Sequence, residues 1–251
     1  FHQRQGPRLR EISIDPQSQA VQEDLRSYTR GFAAASAIRE HLQAEQINPD
    51  QFTQSVVGKA DGNFLYVTLL RRAIEQAIEE DDRQALRGLL NAEEIPESLE
   101  GLYAHFLSRL RAQVGEARVE VEGETPLETV SQPAWEALYQ PVLGVLSVAF
   151  EALEPDQIHD LARLRVEERH LQAALQRLAQ FLDQRAGRLG LFHATLAEFL
   201  TSPGTRQRHA ALFLEPSEWH RKIAGAYRGG ASAWDEVDWE QVDDYGLLHL
   251  P

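Results

Sequence analysis

The sequence predicts a mainly α protein: a helical bundle, then a second helical region that ends in a small β-hairpin. Three observations carry this. Up to Arg111 the apolar residues return every three or four positions, the mark of amphipathic helices. Ala112 to Gln132 is poor in large apolar residues and rich in glutamate, which reads as an exposed linker or loop. Beyond it, three further helical patterns lead into two short extended pieces around a glycine-containing turn.

Taken in order, Arg8 to Ile14 places apolar residues at Leu9, Ile12 and Ile14 and reads as an edge strand. A lone strand is not stable by itself, so this one is expected to belong to a sheet lying upstream. Gln22 to Gln43 carries Leu25, Tyr28, Phe32, Ala35, Ile38 and Leu42 at helical spacing and predicts one helix. Asn48-Pro49-Asp50 starts a second helix and Asp61-Gly62-Asn63 ends it. A third helix runs from Phe64 to Glu80, with the acidic run Glu79 to Asp82 as its solvated end, and a short one covers Arg83 to Leu90. Ile95-Pro96 precedes a helix with Leu99, Leu102, Tyr103, Phe106 and Leu110 on one face.

The second half opens with Trp135, Leu138 and Tyr139, then Pro141, where a kink or fresh helix start is expected. Val142 to Leu153 is the densest apolar stretch and predicts a buried helix. Glu154-Pro155-Asp156 caps a short helix holding Ile158, Leu161 and Leu164. Glu167 to Leu182 predicts a third, with Leu171, Leu175, Leu178 and Leu182 in register. Gly187 and Gly190 allow the tight turn that follows. Three helices followed by a hairpin is the element order of a winged helix. Pro216-Ser217 then caps a helix with Trp219, Ile223 and Tyr227, and a polar segment leads to DDYGLLHLP.

Composition narrows the function classes. With 39 acidic against 25 basic residues the net charge is −14, which argues against general binders of nucleic acid or membrane surfaces, both polyanions. No run approaches the roughly 18 apolar residues of a membrane span. Cysteine is absent, removing disulfides and thiolate zinc sites. The chain starts at Phe1 without a signal-peptide pattern and stops within an apolar pattern, so it reads as a piece of a longer cytoplasmic protein.

Catalytic motifs are missing from the sequence. Gly58-Lys59 is followed by Ala60, and Thr53 stands where a phosphate loop needs its first glycine. Neither GxGxxG nor GxSxG occurs, and the histidines show no HExxH or other i, i+4 pair for a metal. No catalytic residue and no metal ligand is therefore assigned. A winged helix raises DNA binding through its third helix. Here Arg169, His170 and Arg177, with Arg185 and Arg188 of the wing, face Glu167, Glu168 and Asp183 in an acidic chain, so nucleic acid is not the expected partner.

The stretch Arg188 to Leu200, RLGLFHATLAEFL, reads as a strand running straight into a helix, with His193 at the junction. Periodicity alone makes His193 a half-buried histidine bonded to neighbouring backbone. Its surroundings say more. GKADGNFLYVTLL, IPESLEGLYAHFLSRL, YQPVLGVLSVAFEALEPDQI, LGLFHATLAEFL and DDYGLLHLP, in this order and spacing, resemble the signal-transducing NTPases with numerous domains, the STAND class, in its NACHT-like bacterial branch.

That resemblance implies a P-loop NTPase core followed by a helical lid, a winged helix and a sensor array of repeats. Residues 1–21 then resemble the end of the core, 22–111 the lid, 112–133 a linker, 134–214 the winged helix, and 215–251 a helical connector into the repeats. His193 matches the histidine that reaches the β-phosphate of bound ADP in the closed, inactive state. An imidazole donates well to a phosphate oxygen, whose charge favours the protonated ring. Thr195 stands at the family's serine or threonine position, to orient the ring or cap the helix. Gly62, Asn63 and Phe64 occupy the place of a glycine–proline motif that approaches the nucleotide base, without the proline.

The resemblance implies ADP or ATP with Mg in the longer parent protein and no cofactor held by this piece alone. Its partners would be the upstream core and downstream repeats, with homo-oligomerisation on activation in a defence or cell-death setting. A winged-helix DNA-binding regulator and a purely structural helical scaffold are the alternatives.

Overall fold

The computed structural model of the chain describes residues 15–123 and 129–250. The strand expected at Arg8 to Ile14 lies outside them. The described chain is mainly helical with two small two-stranded antiparallel sheets. It forms two compact units whose division in sequence falls between Leu102 and Tyr103.

The first unit contains α1 (Gln19–Ala33), α2 (Ser36–Ala44), α3 (Pro49–Ala60), α4 (Phe64–Glu79) and α5 (Arg83–Leu90), and runs into α6 (Leu99–Val114). Side chains at the helix starts decide several boundaries. Asn48 Oδ1 accepts the N–H groups of Asp50 and Gln51 at 2.8 and 3.2 Å, and Asp82 Oδ1 accepts that of Ala85 at 2.9 Å. Each bond satisfies a backbone donor that the first helical turn leaves unpaired. Leu25, Phe32, Phe52, Val56, Tyr66, Leu70, Ile74 and Leu90 form the core, with the Phe32 and Phe52 rings edge to face at 6.1 Å. The Tyr66 hydroxyl donates to Pro96 O at 2.6 Å. Burial, with the nearby Glu97 charge, pushes its phenol well above the ordinary range.

The single helix expected over Gln22 to Gln43 is two. At roughly 100° per residue a straight helix would carry Ile38 about 120° around from Phe32. The chain instead breaks after Ala33 and restarts at Ser36, leaving Ala35 exposed and burying both Phe32 and Ile38.

In the second unit the glutamate-rich stretch is not simply a linker. β1 (Arg118–Glu122) pairs antiparallel with β2 (Thr129–Pro133) in the register Arg118 with Pro133 and Glu122 with Thr129. Its signal is a short alternation: Val121 is buried while Glu120 and Glu122 face solvent. The Glu122 N–H donates to Arg165 O at 2.8 Å and ties the strand to the chain beyond it.

A π-helical turn, Trp135–Tyr139, leads into α7 (Gln140–Val148). Gln140 N–H bonds back five residues to Trp135 O. The wider turn sits where Pro141 supplies no N–H and its ring would crowd a regular helix. α7 ends at Val148, not at Leu153, and leaves Phe150 67% exposed. The chain straightens there because Leu153 exchanges backbone hydrogen bonds with Leu189 at 2.9 and 2.7 Å.

α8 (Pro155–Leu161) and α9 (Glu168–Arg177) follow, α8 starting where Glu154 N–H donates to Gln157 Oε1 at 2.9 Å. α9 stops short of the expected Leu182. A single 3-10 turn, Ala179–Phe181, delivers Leu182 into β3 (Leu182–Arg185), which pairs with β4 (Arg188–Leu191). Both Phe181, at the end of that turn, and Leu182, at the start of β3, are buried. The hairpin turn is Ala186-Gly187, both at positive φ, while Gly190 lies in the strand opposite Asp183.

α10 (Ala194–Thr201), α11 (Pro203–Arg208), α12 (Pro216–Arg228) and α13 (Asp244–His249) complete the unit. α7 is its centre, buried against α8, α10 and α12.

Asp243 fastens α13. Its carboxylate accepts Gly246 N–H at 2.9 Å, the Tyr227 hydroxyl of α12 at 2.8 Å and the Gln157 amide of α8 at 2.6 Å. Burial alone would raise its pKa, but these donors and the Arg188 charge hold it below the usual carboxylate value. A carboxyl depressed on folding adds stability above its unfolded pKa and loses it as pH falls through the folded one. Asp243→Asn is therefore expected to flatten the loss of stability of this unit below about pH 4, read as melting temperature against pH. An unchanged acid limb would contradict it.

Candidate functional site

The sequence-predicted residues fall in two places. His193 and Thr195 lie in the second unit, Gly62, Asn63 and Phe64 in the first.

β4 brings the chain to His193. Phe192 N–H donates to Phe181 O at 2.7 Å, which anchors the strand end. His193 is extended (φ −151°, ψ 145°), and α10 begins at the next residue. The extended conformation is the one an N-cap adopts, and the imidazole is the cap: Thr195 N–H donates to His193 Nδ1 at 3.2 Å. A backbone N–H can only donate. Nδ1 must then be unprotonated, and the neutral ring carries its proton on Nε2.

His193 is exposed rather than half-buried, which corrects the reading from periodicity. The Nε2 edge has no hydrogen-bond partner among the described residues. It is therefore a donor presented to solvent at the N-terminal end of α10, where unpaired N–H groups favour anions.

Thr195 does not cap the helix. Its Oγ1 lies 3.1 Å from His193 Nδ1 and 2.9 Å from the Tyr103 hydroxyl. Tyr103 is 2% exposed and packs its ring 5.7 Å from that of Phe199. Burial raises its pKa. Sequence reasoning placed Tyr103 only on an apolar helix face. Nothing local could pair it with a residue 92 positions away.

Beside the first turn of α10 is a cleft of about 470 Å³ lined in part by Ser147, Ala152, Arg188, Gly190, Ala194 and Ala197. Its arginine is engaged: Arg188 lies 3.8 Å from Glu151 and 3.6 Å from Glu154. Two other arginines of the wing and third helix are similar, with Arg185 at 2.8 Å from Asp183 and Arg169 at 2.9 Å from Glu167. Each of these three arginines thus has a carboxylate beside it.

In the first unit, Asn63 Oδ1 caps α4 by accepting Leu65 and Tyr66 N–H at 2.9 and 3.3 Å. Gly62 has φ +83°, and a Cβ there would lie 2.4 Å from Pro16 O. Both residues thus have structural duties. Phe64 keeps an exposed face and places its ring 6.2 Å from that of Tyr28.

Among the described residues no cluster of three or more His, Asp or Glu side chains is arranged to hold a metal ion, and no helix is long and apolar enough to cross a membrane. No protein-family model, curated protein or solved structure matches this chain.

Proposed function

We propose that these residues form the regulatory part of a nucleotide-dependent signalling switch of the STAND class, NACHT-like. In this reading the first unit supplies the helical lid and the second a winged helix. The order α7, α8, α9, β3, β4, with Leu153 pairing onto β4 as a further extended piece, supports the winged helix. The observation that carries the function is the state of His193: Nδ1 is occupied as a helix cap, and the Nε2–H donor is exposed. In the closed state that donor holds the β-phosphate of ADP, which an NTPase core with its Mg binds through residues not contained in this sequence. Activation releases the contact and permits oligomerisation in the cytoplasm. The switch takes its energy from the difference between ADP and ATP contacts in two domain arrangements. Within these residues the role is sensing rather than catalysis.

The structural scaffold reading gains nothing from an exposed ring. The DNA-binding reading gains little from arginines already beside carboxylates.

Two variants of the full-length protein test the proposal. His193→Ser keeps a strong N-cap but removes the imidazole; His193→Ala removes both. Losing a hydrogen bond to a charged oxygen should weaken ADP retention about 10- to 100-fold in each, with oligomers forming without a trigger. Only the alanine variant should also lose about 0.5–2 kcal/mol of stability. ADP content after purification, light scattering and urea melts read the three effects. Unchanged ADP content and oligomeric state in His193→Ser would overturn the sensing role.

A further inference from the structure

We infer that Tyr103 and Thr195 are positioning residues for His193, forming a one-way hydrogen-bond chain that fixes its tautomer and ring orientation. The direction follows from a single atom. Because Thr195 N–H donates to Nδ1, that nitrogen is an acceptor. The contact of Thr195 Oγ1 with Nδ1 at 3.1 Å is then a bond in which the hydroxyl donates. With its proton so used, Oγ1 accepts the Tyr103 O–H at 2.9 Å. The chain runs Tyr103 O–H to Thr195 Oγ1–H to His193 Nδ1, and its far end is the Nε2–H.

Each member suits its place. Tyr103 is buried against Phe199, and its raised pKa keeps the phenol protonated, so it remains a donor. Thr195 follows the first residue of α10, so its backbone and its side chain both reach back to the same nitrogen. Orienting partners of this kind set which nitrogen of a histidine faces its ligand. An Nδ1–H would face the Thr195 backbone N–H, which can only donate, so the chain selects the Nε2–H tautomer. The relevance of this chain to nucleotide rests on the sensing role proposed above.

The test uses the 251-residue chain labelled with ¹⁵N-histidine and no nucleotide, at a pH where imidazole is neutral. The unaltered chain and Thr195→Ser should show His193 as the Nε2–H tautomer. Thr195→Val, which keeps the shape and removes the hydroxyl, should shift the tautomer ratio about fivefold toward Nδ1–H, and Tyr103→Phe about twofold. Circular dichroism confirms folding, and Thr195→Val decides alone if Tyr103→Phe fails to fold. An Nδ1–H tautomer in the unaltered chain, or ratios in both variants equal to it, would overturn the inference. Without nucleotide present, the spectra are independent of whatever ADP retention His193→Ser shows.

Discussion

Gly144→Ala is expected to destabilise the second unit by about 1–3 kcal/mol, or more if α12 cannot yield. Gly144 lies in the middle of α7, and a Cβ there would fall 2.2–2.6 Å from three atoms of the Trp219 indole. Those atoms belong to a buried, rigid ring rather than the end of a flexible chain. Lys222 Nζ also lies 3.8 Å from the ring centroid, further limiting where the indole can go. Trp219→Ala removes the ring and should cost about 3–5 kcal/mol. The two changes should couple: in a Trp219→Ala background, Gly144→Ala should be far less harmful. Urea melts of the four chains give the coupling energy. Additivity within about 0.5 kcal/mol would show that the glycine does not seat the tryptophan.

Gly62→Ala should destabilise the first unit by about 1–3 kcal/mol. Two causes act together. Its φ of +83° is strained for any residue with a Cβ, and that Cβ would meet the Pro16 backbone. Gln17, beside Pro16, donates to the Asp61 carboxylate at 2.7 Å, so the approach of this segment to the turn is held by side chains as well. Thermal unfolding of the variant checks the magnitude. A melting temperature equal to that of the unaltered chain would free Gly62 for a nucleotide contact alone.

Local chemistry made much of the first unit legible. Asn48-Pro49 marks its helix start because a capping side chain satisfies the backbone within its own turn; Asn63 and Asp82 cap α4 and α5 in the same way, where the sequence reading saw only the end of the preceding helix. Wherever the deciding partner was distant, the sequence misled. α7 ends early because Leu153 pairs with Leu189, and β1 forms because β2 closes on it. The break between α1 and α2 follows from which residues must be buried, which periodicity blurred through Ala35. The candidate site divided in the same way. His193 stood out at a strand–helix junction, but its exposure, its duty as the cap and its link to Tyr103 depend on how α6 and α10 pack.

The imidazole cap has a consequence for binding rates and affinities. A surface histidine ordinarily samples several rotamers, and a ligand must freeze one of them at about 0.5–1.5 kcal/mol for an immobilised side chain. His193 is ordered by the folding of its own helix, held at Nδ1 by Thr195 from both backbone and hydroxyl. Most of that entropy is already lost before any ligand arrives, so an anion meeting Nε2–H finds a preorganised donor with one direction of approach.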